Sequence, residues 1–138
     1  MFEKVQYLTH TIYGNIPTHY FYHKQSKTLI PVKIENQTVS HLLEPHPSQP
    51  QTAETLKKLV YALGVRVECI KIYLFQDNNF YTYLSVKGKE EEIDISVSFS
   101  DAIKLALLIN SPILFEKTII KECGFKVTKK KIEKALLS

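Results

Sequence analysis

The residues of this sequence best suited to catalysis are those with carboxylate or histidine side chains. Clustered carboxylates hold divalent metals, and paired histidines move protons. Asp94, with a glutamate of the acidic turn before it, predicts either a weak metal site or a solvated turn. His19 and His23 fall on one face of a predicted strand with Phe21 between them, a pattern that fits a metal site but favours aromatic packing on a sheet.

The C-terminal segment, residues 116–138, is strongly basic. Its seven lysines against three glutamates give +4, which equals the formal net charge of the whole chain. Lys129, Lys130 and Lys131 fall in the first turn of a helix predicted from Thr128, where cations oppose the helix dipole. A phosphate group would relieve that conflict, so we predict these lysines as phosphate-binding residues and nucleic acid as a partner. A solvated lysine-rich tail is the alternative.

The helix that opens near Ser98 is the best-specified element of the sequence. Ser98 fits the N-cap position with Asp101 at N3, where the helix dipole favours a carboxylate. Apolar residues then follow at helical spacing and form a wide stripe: Ala102, Ile103, Leu105, Ala106, Leu107 and Ile109. We therefore expect a helix buried on most of its surface, in which Leu107→Asp would unfold the protein.

The remaining periodicity predicts strands around a second main helix. This helix runs from Thr52 to a Gly64 stop, with a stripe that includes Leu56, Leu59, Val60 and Leu63. The other predicted elements are a three-stranded N-terminal meander, a short helix within 35–43, a proline-rich loop at 44–50, strands at 65–75, 80–86, 93–97 and 112–115, and a short helix at 116–122.

Together these elements predict an α+β fold. We expect a mainly antiparallel, curled or mixed sheet of about six strands, with the two main helices packed on it and a helical C-terminal tail. A chain of 138 residues with 44% hydrophobic content is expected to form one domain over residues 1–138. Cys69 and Cys123 predict reduced thiols, and the absence of a leader-like or membrane-length apolar run predicts a cytoplasmic protein without a membrane partner.

A longer pattern resembles the bifunctional nuclease domain family of bacteria and plants. It consists of a strand with D-N-N-F-Y from Asp77, a second strand, S-D-A-I from Ser100, an apolar helix and S-P-I from Ser111. The match is one of order and spacing over roughly residues 28–116. The resemblance implies an α+β fold that hydrolyses phosphodiester bonds in DNA or RNA, with magnesium or manganese as the implied metal.

The resemblance also implies which residues form the site. The family's Arg-Pro-x-Ser/Thr-His-Asp sequence aligns with residues 49–54, which keep a proline, a hydroxyl and, at Glu54, the final acid, but not the arginine or the histidine. Asp101 is the acid retained at the start of the second main helix. Ser96, Ser98 and Phe99 stand where the family has an acidic residue and an Arg-Pro pair. Asp101 and Glu54 are thus the candidate catalytic residues, although each also suits a helix N-terminus.

The lost charges leave a second function open. A relative that keeps the fold without the chemistry would serve as an interaction or regulatory domain. An apolar sheet with edge strands pairs readily with a second copy, so the alternative prediction is a homo-oligomer, a dimer or larger.

Overall fold

A computed structural model of the chain describes residues 1–13, 16–33 and 52–127, together with Lys130. Within these ranges the chain forms eight strands and three helices. The strands are β1 (Phe2–Tyr13), β2 (Ile16–His23), β3 (Thr28–Lys33), β4 (Arg66–Gln76), β5 (Asn79–Lys87), β6 (Glu92–Val97), β7 (Ile113–Glu116) and β8 (Phe125–Lys126). The helices are α1 (Thr52–Leu63), α2 (Phe99–Ile109) and α3 (Lys117–Cys123).

The eight strands form one mixed sheet in the order β6-β5-β4-β7-β1-β2-β3-β8. Only the β4–β7 pairing is parallel among these neighbours. Strand β1 joins the two halves of the sheet, because its first residues pair with β7 and its later residues pair with β2. The α+β class and the mainly antiparallel sheet are confirmed. The prediction of about six strands was too low. Strand β8 was not predicted, because its two residues are too few to form a periodic pattern.

The hairpin between β4 and β5 follows the turn chemistry of its sequence. Asp77 and Asn78 have φ angles of 53° and 62°, and Gln76 pairs with Asn79 across the turn. Two-residue hairpin turns of this left-handed kind favour asparagine and aspartate, which tolerate positive φ. The predicted pairing of the central strand with the one that follows it is therefore confirmed.

Helix α2 supplies the centre of the core. Ala102, Ile103, Leu105 and Ala106 are each 1% exposed and belong to one cluster with the inner residues of β4 and β7. Leu107, in contrast, is 51% exposed, so the expectation that it lies in the core is wrong. Two residues along a helix rotate a side chain by about 200°, and Leu107 therefore faces away from the sheet that covers Leu105.

Helix α1 packs against α2 and leaves much of its apolar stripe exposed. Ala53 is buried, and Leu56 and Val60 are half-buried. Leu59 and Leu63 are 52% and 72% exposed, which corrects the expectation that the whole stripe packs on the sheet. Gly64 has a φ of 67° and ends the helix as predicted.

Other predictions concern residues that the structure does not describe, the two cysteines, and membrane-spanning segments. The short helix within 35–43, the proline-rich loop and most of the helix from Thr128 lie outside the described residues, although Lys130 is helical and exposed. Cys69 and Cys123 are unpaired, as predicted. Among the described helices, none has the length and apolar character needed to cross a membrane.

Candidate functional site at the start of the paired helices

The charges of the two predicted catalytic acids both act on one lysine. Glu54 lies in the first turn of α1, and Asp101 lies in the first turn of α2. Burial lowers the pKa of Lys104, and the negative charges of Asp101 and Glu54 partly offset that effect. Both carboxylates therefore act on one ammonium group. We call Glu54, Asp101 and Lys104 the acid–lysine cluster.

Local capping fixes the position of Asp101. The backbone N–H of Asp101 donates to Ser98 Oγ at 3.3 Å, and the Ser98 hydroxyl donates to Asp101 Oδ2 at 2.8 Å. This reciprocal pair is the capping arrangement that the sequence predicts. It holds Oδ2 of Asp101 against the helix end.

A cleft of about 750 Å³ lies between α1, the start of β4 and the end of α2. Glu54 lines it, and Lys57, Lys58 and Arg66 line its walls. Arg66 is held in place by Glu68 Oε1, which accepts from its Nε at 3.0 Å and from its Nη2 at 2.7 Å. The other lining residues are apolar or aromatic: Val60, Tyr61, Val65, Val67, Leu108 and Ile109. We call this feature the paired-helix cleft.

A buried pair of polar rings lies on the sheet side of α2. His19 Nδ1 is 2.9 Å from the Tyr7 hydroxyl, and the His19 ring packs on Phe99 with centroids 6.2 Å apart. Burial, together with the charges of His10 and Lys104, lowers the pKa of His19 to about 4. Burial also raises the pKa of Tyr7 to about 12. His19 is thus neutral and Tyr7 is protonated near pH 7.

Asp94, His19 and His23, the other candidate metal ligands in the sequence, each contact side chains that are not metal ligands. Asp94 accepts from the hydroxyl of Ser85 and lies 3.7 Å from Lys71 Nζ. His23 Nδ1 is 2.6 Å from Ser26 Oγ, whereas His19 bonds to Tyr7 and packs on aromatic rings. In the described part of the chain, no group of three His, Cys, Asp or Glu side chains could hold a metal ion. The predicted aromatic packing of His19 is confirmed.

The catalytic role of Glu54 and Asp101 stays a prediction, and the residues around them were not predicted from the sequence. Lys104 is the one polar residue of α2 after Asp101, and its i+3 spacing from Asp101 was the available signal. In the sequence, Lys57 and Lys58 are typical of solvated helix residues. Arg66, which lines the same cleft, lies in a separate strand, so no local pattern connects it with these lysines. Lys130 is exposed, and its phosphate-binding role, with that of Lys129 and Lys131, stays a prediction.

Two comparisons relate this chain to known proteins. Two curated relatives are uncharacterized proteins of Mycobacterium tuberculosis: MT1877 of strain CDC 1551 / Oshkosh and Rv1829 of strain ATCC 25618 / H37Rv. Each is 27% identical to this chain over 89 residues, which cover 64% of the chain and 52% of the relative. The chain thus spans about half the length of these relatives. Residues 22–128 match the sequence profile of the bifunctional nuclease domain. Since that match covers well over half of the sequence, the chain belongs to the bifunctional nuclease domain family.

Proposed function

We propose that the chain hydrolyses phosphodiester bonds of DNA or RNA at the acid–lysine cluster. The observation that carries this proposal is that the charges of Glu54 and Asp101, from separate helices, both raise the pKa of Lys104 against the effect of burial. The paired-helix cleft continues from Glu54 past Lys57 and Lys58. Phosphoryl transfer relies mainly on positioning and charge neutralisation, and acids beside cations supply both.

The residues divide into two roles. Lys57, Lys58 and Arg66 hold the nucleic-acid backbone along the cleft, because phosphate contacts provide most of the sequence-independent affinity. Lys104 neutralises charge at the phosphate that is cleaved. The predicted lysines 129–131 would extend the phosphate-binding surface beyond the described core.

Glu54 and Asp101 offer magnesium or manganese two carboxylate ligands. Magnesium in phosphoryl-transfer sites is often held by one or two carboxylates, with water and substrate phosphate completing its shell. Glu54 and Asp101 would hold the ion, and the described residues offer no third side-chain ligand. When bound, the metal supplies Lewis-acid neutralisation of the phosphate.

Cleavage of labelled single- and double-stranded DNA and RNA tests the proposal. The assay compares magnesium, manganese and chelator, with wild type beside the Glu54→Gln, Asp101→Asn double variant. The matched control is Glu90→Gln, Glu91→Gln, which removes two exposed carboxylates from the turn before β6. We expect metal-dependent cleavage in wild type and control, and loss of about 100-fold or more in the double variant. Cleavage that persists in the double variant would contradict this site.

A second candidate function is a non-catalytic domain that self-associates, and two exposed surfaces favour it. β6 is an edge strand, and its Ile93 and Ile95 are 51% and 45% exposed. Leu59 and Leu63 of α1 are also exposed. Uncovered edge strands and apolar surfaces of this kind are typical of protein interfaces.

Light scattering after size-exclusion chromatography tests this second candidate. We expect a dimer or larger species for wild type and a monomer for Ile95→Lys, because a charged residue on an edge strand opposes pairing. Thr118→Lys is the control, since it adds the same charge at an exposed position of α3. A monomeric wild-type protein at all concentrations would contradict self-association.

A further inference from the structure

A second cavity lies beside the last turn of α2, where this helix meets β1 and β2. Its volume is about 700 Å³, and its walls come from the end of α2, the first half of β1 and the end of β2. None of the described residues that line it also lines the paired-helix cleft. Cavities of about 300–1,000 Å³ are typical binding sites for small organic molecules. We call this feature the strand-side cavity.

A chain of hydrogen bonds determines which nitrogen of His23 can accept a proton. The Thr28 hydroxyl donates to the backbone carbonyl of Ser26 at 3.3 Å, so Thr28 Oγ1 accepts from Ser26 Oγ at 2.7 Å. Ser26 Oγ lies 2.6 Å from Nδ1 of His23. Because the proton of Ser26 is already donated to Thr28, Ser26 Oγ accepts from Nδ1–H. In the neutral imidazole, Nε2 is therefore the nitrogen that carries a lone pair.

A carboxylate lies close to this nitrogen. Glu3 and His23 both line the strand-side cavity, and Glu3 Oε2 is 3.9 Å from His23 Nε2, which is too far for a direct hydrogen bond. Their side chains are 23% and 9% exposed, so a ligand in the cavity can reach them. Within the described part of the chain, Glu3 has no other ion-pair partner. Two acceptors at this separation suit a donor that bonds to both, such as an ammonium group.

The end of α2 adds negative potential to the same cavity. Asn110, whose φ is 54°, ends the helix and lines the cavity together with Leu107. The backbone N–H groups of Asn110 and Ser111 both donate to the carbonyl of Ala106. The carbonyls of the last turn carry the negative end of the helix dipole. A cation in this cavity therefore meets a carboxylate, an imidazole lone pair and a helix C-terminus.

The cavity also has cationic and apolar walls. Lys4 and Lys24 are exposed and line it, and ammonium groups of this kind bind carboxylates. Five further lining residues are apolar: Val5, Ala106, Leu107, Pro112 and Ile113. A molecule that has an ammonium group, a carboxylate and an apolar part would match all of these walls at once.

We propose that the strand-side cavity binds a free α-amino acid with an apolar side chain. Its ammonium group lies between Glu3 Oε2 and His23 Nε2, and its carboxylate is bound by Lys24. Its side chain packs on the apolar walls, where burial from water favours binding. This site is separate from the acid–lysine cluster, so the inference does not depend on the proposed nuclease function.

The first test compares three ligands with wild-type protein by isothermal titration calorimetry. L-leucine has all three groups, 3-methylbutylamine lacks the carboxylate, and 4-methylpentanoate lacks the ammonium group. We expect one leucine to bind per chain, and each analogue to bind at least about tenfold more weakly. An analogue that binds as tightly as leucine would overturn the inference. So would the absence of leucine binding at a ligand concentration of about 10 mM.

The second test locates the site with single variants. Glu3→Gln and Lys24→Gln should each weaken leucine binding by about tenfold, because each removes one charged partner of the ligand. Neither side chain is fully buried, and melting curves without ligand check that both variants fold. The matched control is Glu90→Gln, which removes an exposed carboxylate from the turn before β6 and should bind leucine as wild type does. If folded Glu3→Gln binds leucine as tightly as wild type, the ligand is not in this cavity and the inference is overturned.

Discussion

Helices α1 and α2 begin alike and have different surroundings. Each has an acid in its first turn and an apolar stripe at helical spacing. In α2 the stripe is closed between the sheet and α1, and Leu105 is 1% exposed. In α1 the stripe meets α2 along one side only, and Leu63 is 72% exposed. Amphipathic spacing indicates a helix, but the neighbouring elements decide how much of its stripe is covered.

The difference has a functional side. The N-termini of both helices contribute carboxylates to the acid–lysine cluster, so α1 must be placed accurately against α2 for the proposed chemistry. α1 is nevertheless the helix with less apolar burial, and its position depends on contacts such as that of Ala53, which is 1% exposed. The site thus combines one firmly held acid with one acid on a less buried helix.

The largest expected effect comes from a charge in the α2 core. Leu105→Asp buries an unpaired carboxylate among apolar side chains, and we expect a loss on the order of 4 kcal/mol or more in the free energy of unfolding. Leu107→Asp is the matched control, because the same change at a half-exposed position should cost about 1 kcal/mol or less. Urea unfolding measures both. Equal losses at the two positions would contradict the orientation of α2.

This pair of variants also shows what the sequence alone leaves open. The apolar run of α2 predicts a buried helix, but a run that is apolar on nearly all sides does not say which side meets the sheet. Leu105 and Leu107 are chemically identical in that pattern. Their difference comes from the strand order, which brings the inner residues of β4 and β7 under one face of the helix.

The second effect is a pH dependence from His19. Its pKa is about 4 when folded, against an ordinary value of 6.5, so the unfolded chain binds a proton between these values that the folded protein does not. Stability should therefore be unaffected above pH 6.5 and fall as the pH decreases toward 4, by up to about 1.4 kcal/mol per pH unit. Urea unfolding at several pH values measures this slope. The His19→Leu variant should have a shallower slope, and parallel curves would contradict the burial of the imidazole.

A smaller effect is expected at the cap of α2. Ser98→Ala removes the acceptor for Asp101 N–H and the donor to Asp101 Oδ2, and N-cap losses of this kind cost about 1 kcal/mol. If Asp101 acts in catalysis, the same variant should also reduce the turnover number, because the carboxylate loses the contact that orients it. Ser98→Asp is the matched variant that keeps an N-cap acceptor. It should recover stability but not activity, since it brings a second negative charge beside Asp101.

The candidate site was predictable in part for a similar physical reason. Asp101 and Glu54 stand next to helix starts, and caps are local features that sequence specifies well. Tyr7 and His19 are brought beside α2 by the pairing of β1 with β2 and by packing across the sheet, which no local pattern encodes. Acids at helix ends can thus be read from the sequence, whereas the cations that line the cleft and the packing of His19 on α2 require the fold.

The smallest expected effect lies on α1 and gives the sharpest contrast with α2. Leu63→Asp is the same substitution as Leu105→Asp, but the side chain of Leu63 is 72% exposed. The free energy of unfolding of the monomer should therefore fall by no more than about 0.5 kcal/mol. Dilution separates two explanations for a larger loss. If a second copy covers the α1 stripe, the loss should appear only at concentrations where wild type is oligomeric, and light scattering should show Leu63→Asp as a monomer. A loss that is the same at all concentrations would mean that Leu63 is buried within its own chain, and the contrast between the two helices would disappear.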